Sequence, residues 1–194
     1  MTLVELLVVM VIMTVVSTMI ILTWFSLQKS YSFTVTSTDQ RVAARDAMSR
    51  MVRELRDAQG GLNTTPIVAA SATSVAFWTP FNNPGSSNLG VNRPTSFTYN
   101  ADLRTIMRTA GGRTTVLIAN IVNSKAPASS GNPPVFSYDY FSSDGTLHSN
   151  QTDVHDPASI VAVHIHVLVD LNPGKSPTFM NLESTAQLRN LSQG

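Results

Sequence analysis

The stretch Met1-Thr2-Leu3-Val4-Glu5-Leu6-Leu7-Val8-Val9-Met10, continued by Val-Ile-Met-Thr14-Val-Val-Ser17-Thr18-Met-Ile20-Ile-Leu22-Thr23-Trp24-Phe25, decides how the rest of the chain is read. Residues 6–25 carry no charge. As an α-helix they extend about 30 Å, the thickness of a bilayer's hydrocarbon core. The polar interruptions Thr14, Ser17, Thr18 and Thr23 are hydroxyls, which can bond back to their own helix's carbonyls. Glu5 is the exception. A carboxylate in a membrane segment costs about 2.5–3.5 kcal/mol on insertion scales, so it calls for a partner. An α-amino group, mostly charged at neutral pH, is the nearest candidate, and the start of a helix also favours negative charge. A secretory signal would need a basic leading region, a shorter apolar run and a small-residue cleavage site. A plain single-pass anchor accounts for the run but not for Glu5.

Thr2-Leu3-Val4-Glu5-Leu6-Leu7 at the head of an apolar run resembles the processed N-terminus of the type IV pilin and type II secretion pseudopilin superfamily. The resemblance covers about the first 55–60 residues. It implies that a leader is removed by a prepilin peptidase, that Met1 is the mature and N-methylated first residue, and that Glu5 contacts the N-terminus of a neighbouring subunit. Met1 stands where Phe is usual in the family. The implied partners are copies of the chain or other pilins in a helical filament, an inner-membrane assembly platform, and the lipid bilayer before assembly. The implied locations are the cytoplasmic membrane first, then an extracellular filament or periplasm-spanning pseudopilus. Members often carry Gly and Pro where this chain has Thr14 and Leu22, which leaves open whether its helix melts in a filament.

No Pro or Gly occurs in residues 1–58, and Gly60-Gly61 supplies a stop. One helix of about 58 residues is expected, about 85–90 Å long at 1.5 Å per residue. Its middle, residues 26–38, is rich in Ser and Thr with Tyr31, Phe33 and Val35, all poor helix formers. Its second half is amphipathic: Ala44, Met48, Met51, Leu55 and Ala58 form one stripe for packing on a sheet. Asp46 with Arg50, Arg50 with Glu54, and Arg53 with Asp57 are i,i+4 pairs worth a few tenths of a kcal/mol each. Whether these charges are a solvated face or meet neighbouring subunits is open from the sequence.

The expected fold is α+β: a long N-terminal helix, transmembrane then amphipathic, packed on an antiparallel β-sheet head. Residues 1–25 form the transmembrane or filament-core helix, 26–59 its amphipathic continuation, and 60–194 the head. In the head, short β-prone runs alternate with turn residues. Runs 66–70 and 73–79 predict a hairpin, as do 95–100 and 103–109. Gly111-Gly112 then turns into a run over 115–122, and segments 80–94 and 125–134 read as loops. A strand is expected over 135–141 with Phe136, Tyr138 and Tyr140 on one face. The strongest follows over 160–171, with Val161, Val163, Ile165, Val167 and Val169 facing one way, and residues 179–191 close the chain. Phe136-Ser-Tyr138-Asp139, Asp144-Gly145, the lead-in Pro157-Ala158-Ser-Ile160-Val161 and Arg189 are similar to the J-type minor pseudopilins.

Composition argues against several classes. Net charge is +1 with 13% charged residues, so no nucleic-acid-binding field stands out. No cysteine is present, so the head cannot be closed by a disulfide, as many pilin heads are. No catalytic constellation emerges and no cofactor is expected. Gly111-Gly112 lacks the Lys-Ser/Thr of a phosphate loop, no Gly-x-Ser-x-Gly elbow occurs, and Asp144-Gly145 is turn chemistry without calcium-loop spacing. His164 and His166 share one strand face, and Asp170 is a distant third ligand, so partly buried structural histidines are expected there. His148, Asp153, His155 and Asp156 read as a solvated loop cluster, and Asn63, Asn150 and Asn190 head Asn-x-Ser/Thr triplets. Two rival readings are a DNA-binding module built on Arg104, Arg108 and Arg113, and a membrane-anchored enzyme or sensor. The expected function is a structural subunit of a type IV pilus-like filament. The alternatives are a type II secretion pseudopilin of the J type and a minor pilin for DNA uptake.

Overall fold

A computed structural model describes residues 2–59, 65–79, 94–125, 133–173 and 179–188. One helix, α1 (Leu3–Arg56), runs unbroken for 54 residues, close to the length expected. The chain divides into two compact units, residues 1–40 and 41–194.

The first unit is helix alone, and its side chains face outward nearly throughout. Within the Ser- and Thr-rich stretches several hydroxyls return to the backbone of the preceding turn. Thr14 donates to Met10 O, Thr18 to Thr14 O and Thr23 to Met19 O at 2.8–2.9 Å. Ser32, Thr34 and Thr38 do the same further along. A hydroxyl that bonds its own preceding turn needs no other partner, so these residues suit a helix in an apolar medium.

In the second unit the predicted stripe of Ala44, Met48, Met51, Leu55 and Ala58 is buried in the core. The helix end tightens, with Ala58 N donating to Leu55 O, and Gln59 N then donates to Trp78 O. The Gly60-Gly61 stop lies outside the described residues.

Among the described residues the head has two antiparallel sheets where the sequence reading had a single one. The first is a meander of β1 (Ile67–Ala70), β2 (Ser74–Phe77), β3 (Thr95–Asn100), β4 (Thr105–Ala110) and β5 (Arg113–Ile118), paired in sequence order. Both predicted hairpins are present. Period-two burial runs along β3 and β4, and Phe77 and Phe97 meet with ring centroids 5.2 Å apart. The run expected over 115–122 is a strand only to Ile118, and Ile121 instead bridges Val169.

The second sheet has the order β7-β6-β8-β9, from β6 (Phe136–Phe141), β7 (Leu147–Gln151), β8 (Ile160–Asp170) and β9 (Phe179–Gln187). Strand β7 corrects the loop reading around His148. Beyond Leu147 its residues are polar, and all but His148 are exposed, so no hydrophobic alternation marked it. Along β8, Val163, Ile165, Val167 and Val169 face the core as predicted, but Val161 does not. Asp139 pairs with Ala162 and Tyr140 with Ile160, so Val161 sits in a bulge and Ile160 turns into the core in its place.

Two polar side chains make long-range ties, one between the sheets and one from the 3-10 turn after β5 to β8. The Tyr138 hydroxyl accepts from Ser71 N at 3.1 Å and lies 2.9 and 3.0 Å from Ser71 O and Ser74 O, clasping the β1–β2 turn. Burial pushes this phenol well above its ordinary value of 10, against the opposing backbone bond at Ser71. Asn123, also buried, donates from Nδ2 to His166 O and Pro133 O and accepts from Leu168 N. It thereby supplies β8 with the partners that a neighbouring strand would otherwise give.

Candidate functional site

At the start of α1, the Thr2 amide donates to Glu5 Oε2 at 3.4 Å and the Glu5 amide donates to Thr2 Oγ1 at 3.3 Å. Thr2 O accepts from Glu5 N and Leu6 N. This is a reciprocal capping box, in which residues three apart satisfy two of the helix's orphan donors. The sequence signal was Thr2-x-x-Glu5, a pattern overshadowed by the unpaired-carboxylate reading of Glu5. Both bonds are long and both side chains are exposed, so the carboxylate keeps acceptor capacity for a second partner. Met1, the predicted assembly and N-methylation residue, lies outside the described residues.

Behind this cap, every apolar side chain over residues 6–25 faces outward. They are 46–64% exposed, and the helix is long and apolar enough to cross a membrane. Leaving such a surface in water is unfavourable by about 1.5–3 kcal/mol per large apolar side chain. Such a surface suits a bilayer or contact with other helices.

Several other residues singled out from the sequence make local contacts. Asp139 Oδ2 lies 2.9 Å from His164 Nε2, whose Nδ1 is 2.9 Å from Thr185 Oγ1, while Glu183 lies 3.5 Å from His166 Nε2. Asp170 is not a third ligand. It is buried, accepts from Asn172 N and faces Arg104 at 3.7 Å. His148 stacks on Tyr140, its cross-strand neighbour, with centroids 5.1 Å apart. Asp156 caps a 3-10 turn by accepting from Ala158 N, and Asp153 and His155 are exposed. Among the described residues no group of three or more His, Asp or Glu is placed to hold a metal ion.

Asp144-Gly145 forms the β6–β7 turn, where Gly145 takes a φ of +81°, a conformation that disfavours a side chain. The Ser142 hydroxyl and then the Thr146 amide bond the Asp144 carboxylate and hold it down to about 2. Asn150 is an exposed β7 residue whose side chain accepts from Ser137 Oγ, whereas Asn63, Asn190 and Arg189 lie outside the described residues.

The three arginines of the basic-patch reading are dispersed. Arg113 is exposed at the start of β5, Arg104 faces Asp170, and Arg108 is buried. Arg108 Nε donates to Glu54 Oε2 at 2.7 Å, and Arg50 Nε donates to the other carboxylate oxygen at 3.0 Å. The Arg50 and Glu54 pair was legible as i,i+4 spacing. Arg108 was not, because nothing local links β4 to the helix.

Comparison with family models and with curated proteins returned no match to the chain. The architecture, one long apolar N-terminal helix with an antiparallel β head, is compatible with a pilin-like fold.

Proposed function

We propose that this chain is a structural subunit of a type IV pilus-like helical filament. It is held in the cytoplasmic membrane through residues 6–25 and then transferred into a bundle of like helices. One observation carries the reading: an unbroken helix with an apolar surface exposed all round, whose Thr14, Thr18 and Thr23 hydroxyls bond their own backbone. Such a helix suits two apolar surroundings in succession, lipid and then neighbouring helices. Glu5 is the group that sets register, by pairing with the N-terminal amine of the next subunit and relieving two charges that would otherwise be buried unpaired. Copies of the chain or other pilins, an assembly platform, a prepilin peptidase and the bilayer are the partners this requires.

A type II secretion pseudopilin of the J type is the second reading. Its support is that the resembling phrases lie together on one sheet: Phe136, Tyr138 and Asp139 on β6, Asp144-Gly145 in the next turn, and Ile160 and Val161 opening β8. Shearing filaments from cells and identifying their proteins by mass spectrometry tests both. A dominant chain with an N-terminal peptide beginning at Met1 is expected for a pilus subunit. Traces of a chain processed at Met1 favour the pseudopilin. A membrane-bound chain that is never processed and never enters a filament overturns both.

A further inference from the structure

Directly after the charge-free run, α1 carries Trp24, Phe25, Gln28, Lys29 and Tyr31 within two turns. Trp24 and Tyr31 are 62% and 74% exposed. With Gln28 they follow i, i+4, i+7 spacing, so they line one face of the helix along a shallow cleft. Lys29 is the only Lys or Arg in the first forty residues. Tryptophan and tyrosine pair an apolar ring with a polar tip, and lysine pairs an apolar stem with a charged head. Both kinds are favoured where hydrocarbon meets water.

The spacing along the helix matches a bilayer. Roughly 28 Å of helix separates Glu5 from Trp24 at 1.5 Å per residue, against a hydrocarbon core of about 30 Å. Lys29 and Tyr31 lie roughly 7–10 Å further along, against a headgroup region of roughly 5–8 Å on each side. With Glu5 at one boundary, Trp24 and Phe25 reach the other, and Lys29 falls among the phosphates.

We propose that residues 24–31 form a collar for the glycerol–phosphate layer of the membrane face away from Glu5. Trp24 and Phe25 mark the hydrocarbon edge, the Lys29 ammonium pairs with lipid phosphate, the Gln28 amide bonds in the same layer, and Tyr31, rooted just outside it, leans back toward it because helical side chains tilt toward the helix N-terminus. The collar sets how deeply the helix sits. It rests on the membrane-inserted stage of the proposed function and does not depend on the filament.

Because the chain has no cysteine, a nitroxide can be placed at one residue at a time. The full chain, as Met13→Cys, Gln28→Cys or Thr38→Cys, is spin-labelled and reconstituted in phosphatidylcholine–phosphatidylglycerol vesicles. Broadening of the lipid phosphorus resonance is then measured. The collar requires the greatest broadening from position 28, with loss of the effect at positions 13 and 38. Strong acyl-chain broadening from 13 with a phosphorus maximum at 38 overturns the collar and leaves insertion standing. Nitroxide–nitroxide coupling between chains at 28 without phosphorus broadening makes a second copy the occupant and also overturns it. No broadening of any lipid signal from any position removes the membrane-inserted reading together with the collar.

Discussion

Arg108 on β4 and Glu54 on α1 meet at 2.7 Å although 54 positions separate them, with the Glu54 side chain fully buried. Arg50 holds the other carboxylate oxygen from the more exposed side. The second half of the helix is thus fixed to the first sheet by a charge pair as well as by the apolar stripe. Buried ions owe their tolerance to each other, so removing one is far worse than replacing both. Arg108→Ala is expected to destabilise the head by less than the roughly 3–5 kcal/mol of a fully orphaned buried charge, because Arg50 still holds Glu54, and Glu54→Leu with Arg108→Met to be neutral or stabilising. Urea denaturation of the detergent-solubilised chain, run as a double-mutant cycle, measures both. An Arg108→Ala loss of only a few tenths would mean that the pair is not the fixing contact.

Tyr138→Phe removes a buried hydroxyl that bonds the Ser71–Ser74 turn, and a loss of about 1–3 kcal/mol is expected. The pH dependence has a definite sign. Burial raises the folded-state value above the ordinary 10, so the folded chain holds this proton more tightly than the unfolded one. The contribution is complete below about pH 10 and declines as pH rises beyond it. The stability gap between the parent and Tyr138→Phe should therefore shrink on the alkaline side in a denaturation series. A gap independent of pH there would contradict the burial argument.

Asn123→Ala leaves the Leu168 amide and His166 carbonyl without their side-chain partner. A loss of about 2–3 kcal/mol is expected from the bonds to buried groups. Amide hydrogen exchange reads the same event locally. Leu168 should lose protection while β3 and β4 amides keep theirs, and uniform loss across both sheets would show a global rather than a local role.

Glu5→Ala separates two uses of one carboxylate. The capping box is local, so losing it should weaken the first turn of α1 by about 1 kcal/mol and leave the head untouched. Thr2→Ala costs the same cap but keeps the charge. If Glu5 pairs with a neighbouring N-terminus, Glu5→Ala abolishes efficient filament assembly and Thr2→Ala does not. Electron microscopy of sheared material decides the matter. Equal defects in the two variants would reduce Glu5 to a cap.

Much of the fold was legible because its signals are local. A charge-free run, an unbroken absence of Pro and Gly, and a 4-3-4-3 stripe each describe one element by its own periodicity. The strands with strong alternation, β3, β4 and most of β8, were found for the same reason. Strand β7 was missed because Leu-His-Ser-Asn-Gln has no apolar face and is held by pairing with β6. The bulge at Val161 was missed because β8 reads as an uninterrupted apolar strand, and only its register against Asp139 and Tyr140 reveals the extra residue. At the candidate site the apolar surface was legible directly, and the capping pair Thr2 and Glu5 lay in plain view three residues apart.

By itself the sequence determined the helix, its apolar first half, its buried stripe and the strands whose side chains alternate, since hydrophobic periodicity is written along the chain. The tertiary structure alone decided that the strands part into two sheets, that Tyr138 joins them, that Asn123 completes the bonding of β8, and that Arg108 turns inward to Glu54 instead of outward as part of a basic surface. Each of those outcomes depends on which distant group arrives to satisfy a buried charge, hydroxyl or amide. A linear pattern records which residues need partners, and only the folded chain supplies them.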